Sequence, residues 1–415
     1  MASSTGTRFF LFALILWLNF IPSAQARRRH SRRLRIPTHP IYLWAKTLAE
    51  SKDDDQRKIA AFKLSQYSQP IFQEPVIDAL LSCVSDDNLH IKVLCTKALG
   101  RARKRSKSTL VRNALVKQYK AEPFLRNTVV RTFIALNADE PHIQKMLMAE
   151  MQQNKKPGEL IVLMSYFEKF GSGDDAFVKD LSKIYHENTD PRVRVSVAKA
   201  ISERADGQKE VIELLAECTG SSDTPLVLTC LTGLQAQGTK NPLTWSAVER
   251  TILSRDPDVL ETTLDVIDAL PESPNPKVSA RLLQIITDAD DSELREKAVL
   301  SLGVCGNKSS DVVDLLQRLV EEESVGEDIR IAAALVLGKQ AEAFPVAPRR
   351  ILDNCGTKEK SQNLRTACQL GLQELKTRTA PPKKGEGNSS APFIQPRESL
   401  VATQSHRRCR SSLGS

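Results

Sequence analysis

Six of the eight cysteines fall into three pairs, Cys83/Cys95, Cys218/Cys230 and Cys355/Cys368, separated by 12, 12 and 13 residues. One spacing used three times is the clearest sign of side-chain chemistry in the sequence. Thiols so placed either fill small apolar slots in a core or, in an oxidising compartment, close three local disulfides. If a helix–turn–helix unit holds each pair, the first cysteine lies near the turn and the second about two helical turns beyond it. That placement strains the Cα separation a disulfide accepts, so buried thiols are the expectation and the three bridges the alternative. Cys305 and Cys409 have no mate.

The other residues able to do chemistry are scattered. His30, His39, His90, His142, His186 and His406 share no common position, and His186-Glu187 is the only His-Glu dyad. There is no glycine-rich phosphate loop and no G-x-S-x-G elbow. The sequence therefore calls for no catalytic residue, metal or cofactor, and an enzyme is the disfavoured class.

Basic side chains are concentrated instead. Arg27, Arg28, Arg29, Arg32, Arg33 and Arg35 form an arm without an acid, and residues 376–415 carry eight Lys/Arg against Glu386 and Glu398. With Arg8 they account for more than the whole net charge of +9, leaving residues 37–375 at about −4. Within that body, residues 101–131 hold ten bases, beginning with Arg101, Arg103, Lys104, Arg105 and Lys107, against Glu122 alone. Residues 256–330 hold eighteen acids against seven bases. The arm and the 101–131 patch are candidate polyanion contacts, because each Arg can bind a phosphate or carboxylate in bidentate fashion. For an exported protein an anionic envelope surface fits that chemistry better than nucleic acid does.

The elements that carry these residues repeat. The stretch Gly326–Gly338, GEDIRIAAALVLG, opens on two acids, starts an apolar register at Ile329 and Arg330, and places a small-residue patch around Ala333. Similar segments are anchored at Arg57, Ile91, Leu125, Leu160, Val193, Val227, Val259, Leu294 (followed by Arg295) and Leu364, at intervals of 32–35 residues. A period of that size marks stacked supersecondary units. Asp190-Pro191, Thr224-Pro225 and Asp256-Pro257 each supply an N-cap oxygen followed by proline, and Thr38 with Pro40 opens a first helix over Ile41–Ser51. Gly100, Gly171, Gly238, Gly303 and Gly338 fall where such helices would stop.

The D-P-x-V-R-x-x-A pattern resembles that of the second helices of the HEAT-repeat family, over about residues 38–376. The resemblance implies an all-α fold, a right-handed α-solenoid of about ten helix pairs, and a scaffold that binds a protein partner along a concave face. Tetratricopeptide repeats share the period, but with 3 Trp and 5 Tyr their aromatic landmarks are missing. HEAT-repeat enzymes exist, among them hydroxylase-like and lyase members. The hydroxylases hold two irons through repeated His-Glu dyads, of which this sequence has one.

Residues 1–26 combine a short polar start, a 13-residue apolar run over Phe9–Ile21 and Ala24-Gln25-Ala26. This reads as a secretory signal peptide, giving a mature chain without a membrane span that resides in the periplasm or outside the cell. The arginines that follow resist translocation, so an uncleaved anchor with cytoplasmic repeats is the alternative. Residues 377–415 lose the period and read as a disordered basic tail.

Overall fold

The computed structural model describes residues 39–380, apart from residues 155, 206, 239 and 307. Among the described residues there are twenty α-helices and no sheet, only an isolated parallel bridge between Ile71 and Ala102. The chain divides into two compact units, residues 1–270 and 271–415. The division falls at Pro271, Pro274 and Pro276, where three prolines within six residues interrupt the run of helices.

The first unit holds seven helix pairs: α1 (Pro40–Glu50) with α2 (Asp54–Gln66), α3 (Glu74–Cys83) with α4 (Leu89–Leu99), α5 (Arg105–Ala121) with α6 (Arg126–Leu136), α7 (Pro141–Gln153) with α8 (Pro157–Phe170), α9 (Asp175–Glu187) with α10 (Pro191–Arg204), α11 (Lys209–Cys218) with α12 (Thr224–Gln237), and α13 (Pro242–Thr251) with α14 (Pro257–Ala269). The second holds three: α15 (Pro276–Asp288) with α16 (Ser292–Cys305), α17 (Ser310–Glu321) with α18 (Glu327–Gln340), and α19 (Val346–Lys358) with α20 (Gln362–Arg378). Within each unit every second helix packs on its own first helix and on the next second helix, so each stack propagates pair by pair. The stretch from Leu125 to Val193, where the sequence pattern is weakest, is stacked like the rest.

The periodic anchors explain the packing. Four residues after each one lies a fully buried side chain: Ala61, Cys95, Val129, Met164, Val197, Leu231, Thr263, Ala298, Ala333 and Cys368. Ile91, Val193, Ile329 and Leu364 are themselves buried, and Leu294 is half-buried. Where the residue after the anchor is arginine, it folds back onto its own first helix. The Nε of Arg126, Arg194, Arg295 and Arg330 donates to the carbonyls of Tyr119, Asn188, Ile286 and Val320 at 3.3, 2.7, 2.9 and 3.0 Å, and Arg365 Nη1 donates to Glu359 at 2.5 Å. Each guanidinium thus meets carbonyls that a helix end leaves unpaired. Arg295 and Arg330 serve the fold.

Several local readings change. His39 caps α1, its Nδ1 accepting from the Ile41 amide at 3.4 Å, and Thr38 lies outside the described residues. Asp190 and Asp256 cap α10 and α14 as the sequence suggests, but α12 is capped by Asp223. Thr224 is freed to donate its hydroxyl to Asp256 in the next pair, at 2.9 Å. The glycines are not left-handed stops. Gly303 and Gly338 lie inside α16 and α18, and Gly100, Gly171 and Gly238 have negative φ. They are there for space: a Cβ on Gly338 would run into the backbone of Gly371 on α20, and one on Gly371 into the carbonyl of Ala334.

Candidate interaction surface

The 101–131 patch comes apart when its bases find partners. Lys104 pairs with Glu74 at 3.5 Å, Lys107 with Asp78 at 2.8 Å, Arg126 with Glu150 at 2.5 Å, and Arg112 with Glu140. Glu122, the stretch's only acid, is held by Lys92 at 3.2 Å. The Asp78 carboxylate raises the Lys107 ammonium above its ordinary value by hydrogen bonding. These acids belong to helices before and after the patch, so a count over residues 101–131 overstates its free charge. Lys104 and Lys107 are therefore structural partners more than ligands, and Arg105 is exposed on the first turn of α5.

Of the six bases that remain, Arg105, Lys117 and Lys120 lie on α5, while Arg101, Arg103 and Arg131 gather beside α4 and α6. Lys97 on α4 and Arg131 on α6 are exposed and flank an open groove of about 590 Å³, whose other cationic lining residues are Arg101 and Arg103. The Ile71–Ala102 bridge sets those two side chains. Ile71 donates its amide to the Arg101 carbonyl and accepts from the Arg103 amide, each at 2.8 Å. Arg101 Nη1 then donates to the Ser65 carbonyl at 2.6 Å at the end of α2, and Arg103 Nη2 to Ala135 at 2.7 Å at the end of α6. The floor is tightly packed. A Cβ on Gly100 would meet that of Ala135 at 3.1 Å, and the Thr132 hydroxyl lies 3.1 Å from the Thr96 carbonyl. No acid lines the groove.

Arg27, Arg28, Arg29, Arg32, Arg33 and Arg35 lie outside the described residues. Lys97, which makes the groove cationic together with Arg131, was missed by reading charge in a window that began at Arg101. Helical spacing alone would have placed Lys97 and Arg101 one turn apart.

The cysteines also differ from expectation. Cys83–Cys95, Cys218–Cys230 and Cys355–Cys368 are disulfide-bonded, with Cα separations of 6.0, 6.3 and 5.9 Å, inside the range such a bond spans. The Cα separation that the spacing seemed to put out of reach is met in all three. The linker residues, Val84–Asn88 in the first case, carry the chain past the end of the first helix. The second helix must run back before its second turn comes level with the first cysteine. Cys305 is buried, lies outside the disulfides, and donates its thiol to the Ser301 carbonyl at 3.2 Å.

Chemistry elsewhere is sparse. His186 Nδ1 lies 2.7 Å from the Ser182 carbonyl and Nε2 3.3 Å from Glu217. Among the described residues no three His, Cys, Asp or Glu side chains converge as metal ligands, and no helix is long and apolar enough to cross a membrane. Near the acidic stretch, burial together with Asp328 and Glu293 raises the Glu296 carboxyl above its ordinary value.

Residues 279–373 match the family model for HEAT repeats. Over those residues the chain carries HEAT repeats. No curated protein matches the sequence. Among solved structures the fold is shared with a chain in a homology model of the full-length AP-3 complex in an intermediate open conformation, at 12% identity and a TM-score of 0.52, over 81% of this chain and 68% of that one. Kap121p (11% identity, TM-score 0.47, 84% of this chain) and importin beta in an ammonium sulfate condition (12%, 0.49, 82%) are also similar. This chain spans 42% and 53% of the length of those two.

Proposed function

We propose that the protein is an exported, non-enzymatic scaffold that holds a protein partner along the face formed by its second helices, the concave side of a HEAT stack. The observation that carries this reading is that three of the ten helix pairs are stapled internally by disulfides. Such bonds persist in oxidising compartments and are rare where glutathione keeps thiols reduced. The signal-like pattern of residues 1–26 agrees with them. Stacked pairs present a long ordered surface that needs no enclosed pocket, and Ile59 and Phe62 on α2 are 61% and 49% exposed there. A polyanion-binding role has less support, because four of the ten bases in residues 101–131 are already paired with carboxylates.

The test is to trap thiols with an alkylating agent in the intact cells that make the protein, then count modified cysteines by mass. Export predicts that Cys83, Cys95, Cys218, Cys230, Cys355 and Cys368 escape alkylation until a reductant is added. Labelling of all six in native protein would place the chain in a reducing compartment and end the proposal.

A further inference from the structure

We propose that α2, α4 and α6 form a docking site for an acidic segment of a partner protein that also carries aliphatic or aromatic residues. The inference rests on the scaffold reading and specifies where and what such a stack binds. Two grooves flank α4. On one side, between α2 and α4, lies a mainly apolar groove of about 350 Å³ lined by Ile59, Phe62, Val93 and Leu94 together with Lys58 and His90. On the other, between α4 and α6, lies the groove of Lys97, Arg101, Arg103 and Arg131. Val93 lines both, and neither contains a carboxylate. An α-helix is about 10 Å across, so a segment lying over α4 would offer an apolar side chain and an acidic one about three extended residues apart.

The paired character selects the occupant. A lipid headgroup or sulfated sugar would satisfy the cations but leave Ile59 and Phe62 unused, and a flat bilayer cannot enter a groove recessed between helices. Nucleic acid would want several aromatic platforms for its bases, and only Phe62 and the His90 imidazole supply aromatic rings to the two grooves. The chain's own ends are strongly basic and carry the wrong sign. A peptide with carboxylates next to apolar anchors uses both sides. Arg101 and Arg103, held by helix-end carbonyls, would act as pre-ordered donors, while Lys97 and Arg131 supply movable charge.

The experiment uses the purified full-length chain and a fluorescein-labelled synthetic peptide with a run of glutamates followed by a Leu-x-x-Phe segment. A version with lysine for glutamate and a heparin oligosaccharide serve as comparison probes. Lys97→Glu with Arg131→Glu, both at exposed positions, should weaken the acidic peptide roughly tenfold or more, as loss of close opposite charges does. Ile59→Ser with Phe62→Ser should weaken it by about tenfold while leaving heparin binding unchanged. The lysine peptide should not bind, and affinity should fall with salt. Absence of acidic-peptide binding, or binding indifferent to either double variant, overturns the site. Heparin binding that survives the apolar change while displacing a peptide equally indifferent to it would make the groove a plain polyanion site. Sedimentation showing self-association abolished by Arg131→Glu would assign it to a second copy. A groove that fails while partner crosslinks persist at other second helices leaves the scaffold reading standing.

Discussion

Gly338→Ala is the sharpest probe of how the second unit is packed. Inside a solvated helix the change should help, since glycine costs about 1 kcal/mol relative to alanine. Here the new methyl would fall on the backbone of Gly371, and the reciprocal methyl on Gly371 would strike the Ala334 carbonyl. Backbone cannot turn aside as a side chain can, so α18 and α20 must separate. Overpacking of this kind costs about 1–3 kcal/mol. Set against the propensity gain, the net loss should be up to about 2 kcal/mol, which in a three-pair unit corresponds to a fall of up to roughly 10 °C in Tm. Gly158→Ala is the control: nothing lies within 4 Å of its added Cβ, so a gain of about 0.5 kcal/mol is expected. Gly303→Ala, whose Cβ would meet Val336 Cγ2 at 3.3 Å, should fall between the two. Thermal and urea unfolding give the energies, and hydrogen exchange locates them. Protection should drop in residues 310–378 and hold in residues 40–250, because damage in a stack spreads through neighbours. If Gly338→Ala stabilises the protein as Gly158→Ala does, the helix crossing described above is wrong.

Ala333 is fully buried, so Ala333→Leu should cost about 1–3 kcal/mol and Ala333→Glu more, because it also buries an unpaired charge; chemical denaturation measures both. Replacing Cys218 and Cys230 together by alanine opens a short loop and should cost about 2–3 kcal/mol, read as a lower Tm that reductant no longer changes further at that pair. Glu296 has a raised carboxyl pKa, so the folded state binds its proton more tightly than the unfolded chain. Its stabilising effect is fully present below the unfolded value of about 4.3 and is lost as pH rises through the folded value. Glu296→Gln should therefore raise Tm at about pH 7 with little effect below about pH 4, and equal effects at both would refute the assignment.

What could be read from the sequence was local. The ten anchors and the buried slots four residues later follow from helical period alone, and Asp190 and Asp256 were visible as caps because cap and helix are adjacent in the chain. Thr224 was misread because Asp223 beside it is equally able to cap, and only the next pair reveals that the Thr224 hydroxyl serves Asp256. The glycines were read as helix stops, yet Gly303 and Gly338 lie inside helices: a helix sequence shows where a small residue sits, whereas the backbone it faces, Gly371 for Gly338, is contributed some thirty residues away. The same distance hid the ion pairs of Lys104, Lys107, Arg112 and Arg126. It also hid Lys97 and Arg131 as partners across one groove. For the cysteines, the spacing was sound and the geometry was not, because the path of linkers such as Val84–Asn88 decides how far the second helix must return.

The central claim is that a protein partner lies along the second helices. A photo-crosslinking amino acid placed singly at Phe62, Arg131 and Lys199 on second helices, and at Lys117 and Lys183 on first helices, tests it in the cells that make the protein. All five positions are exposed, so reagent access is matched. The account predicts one discrete protein adduct shared by the second-helix positions and absent from the first-helix positions. Adducts of equal yield on both faces, or none from Phe62, Arg131 and Lys199, would contradict it.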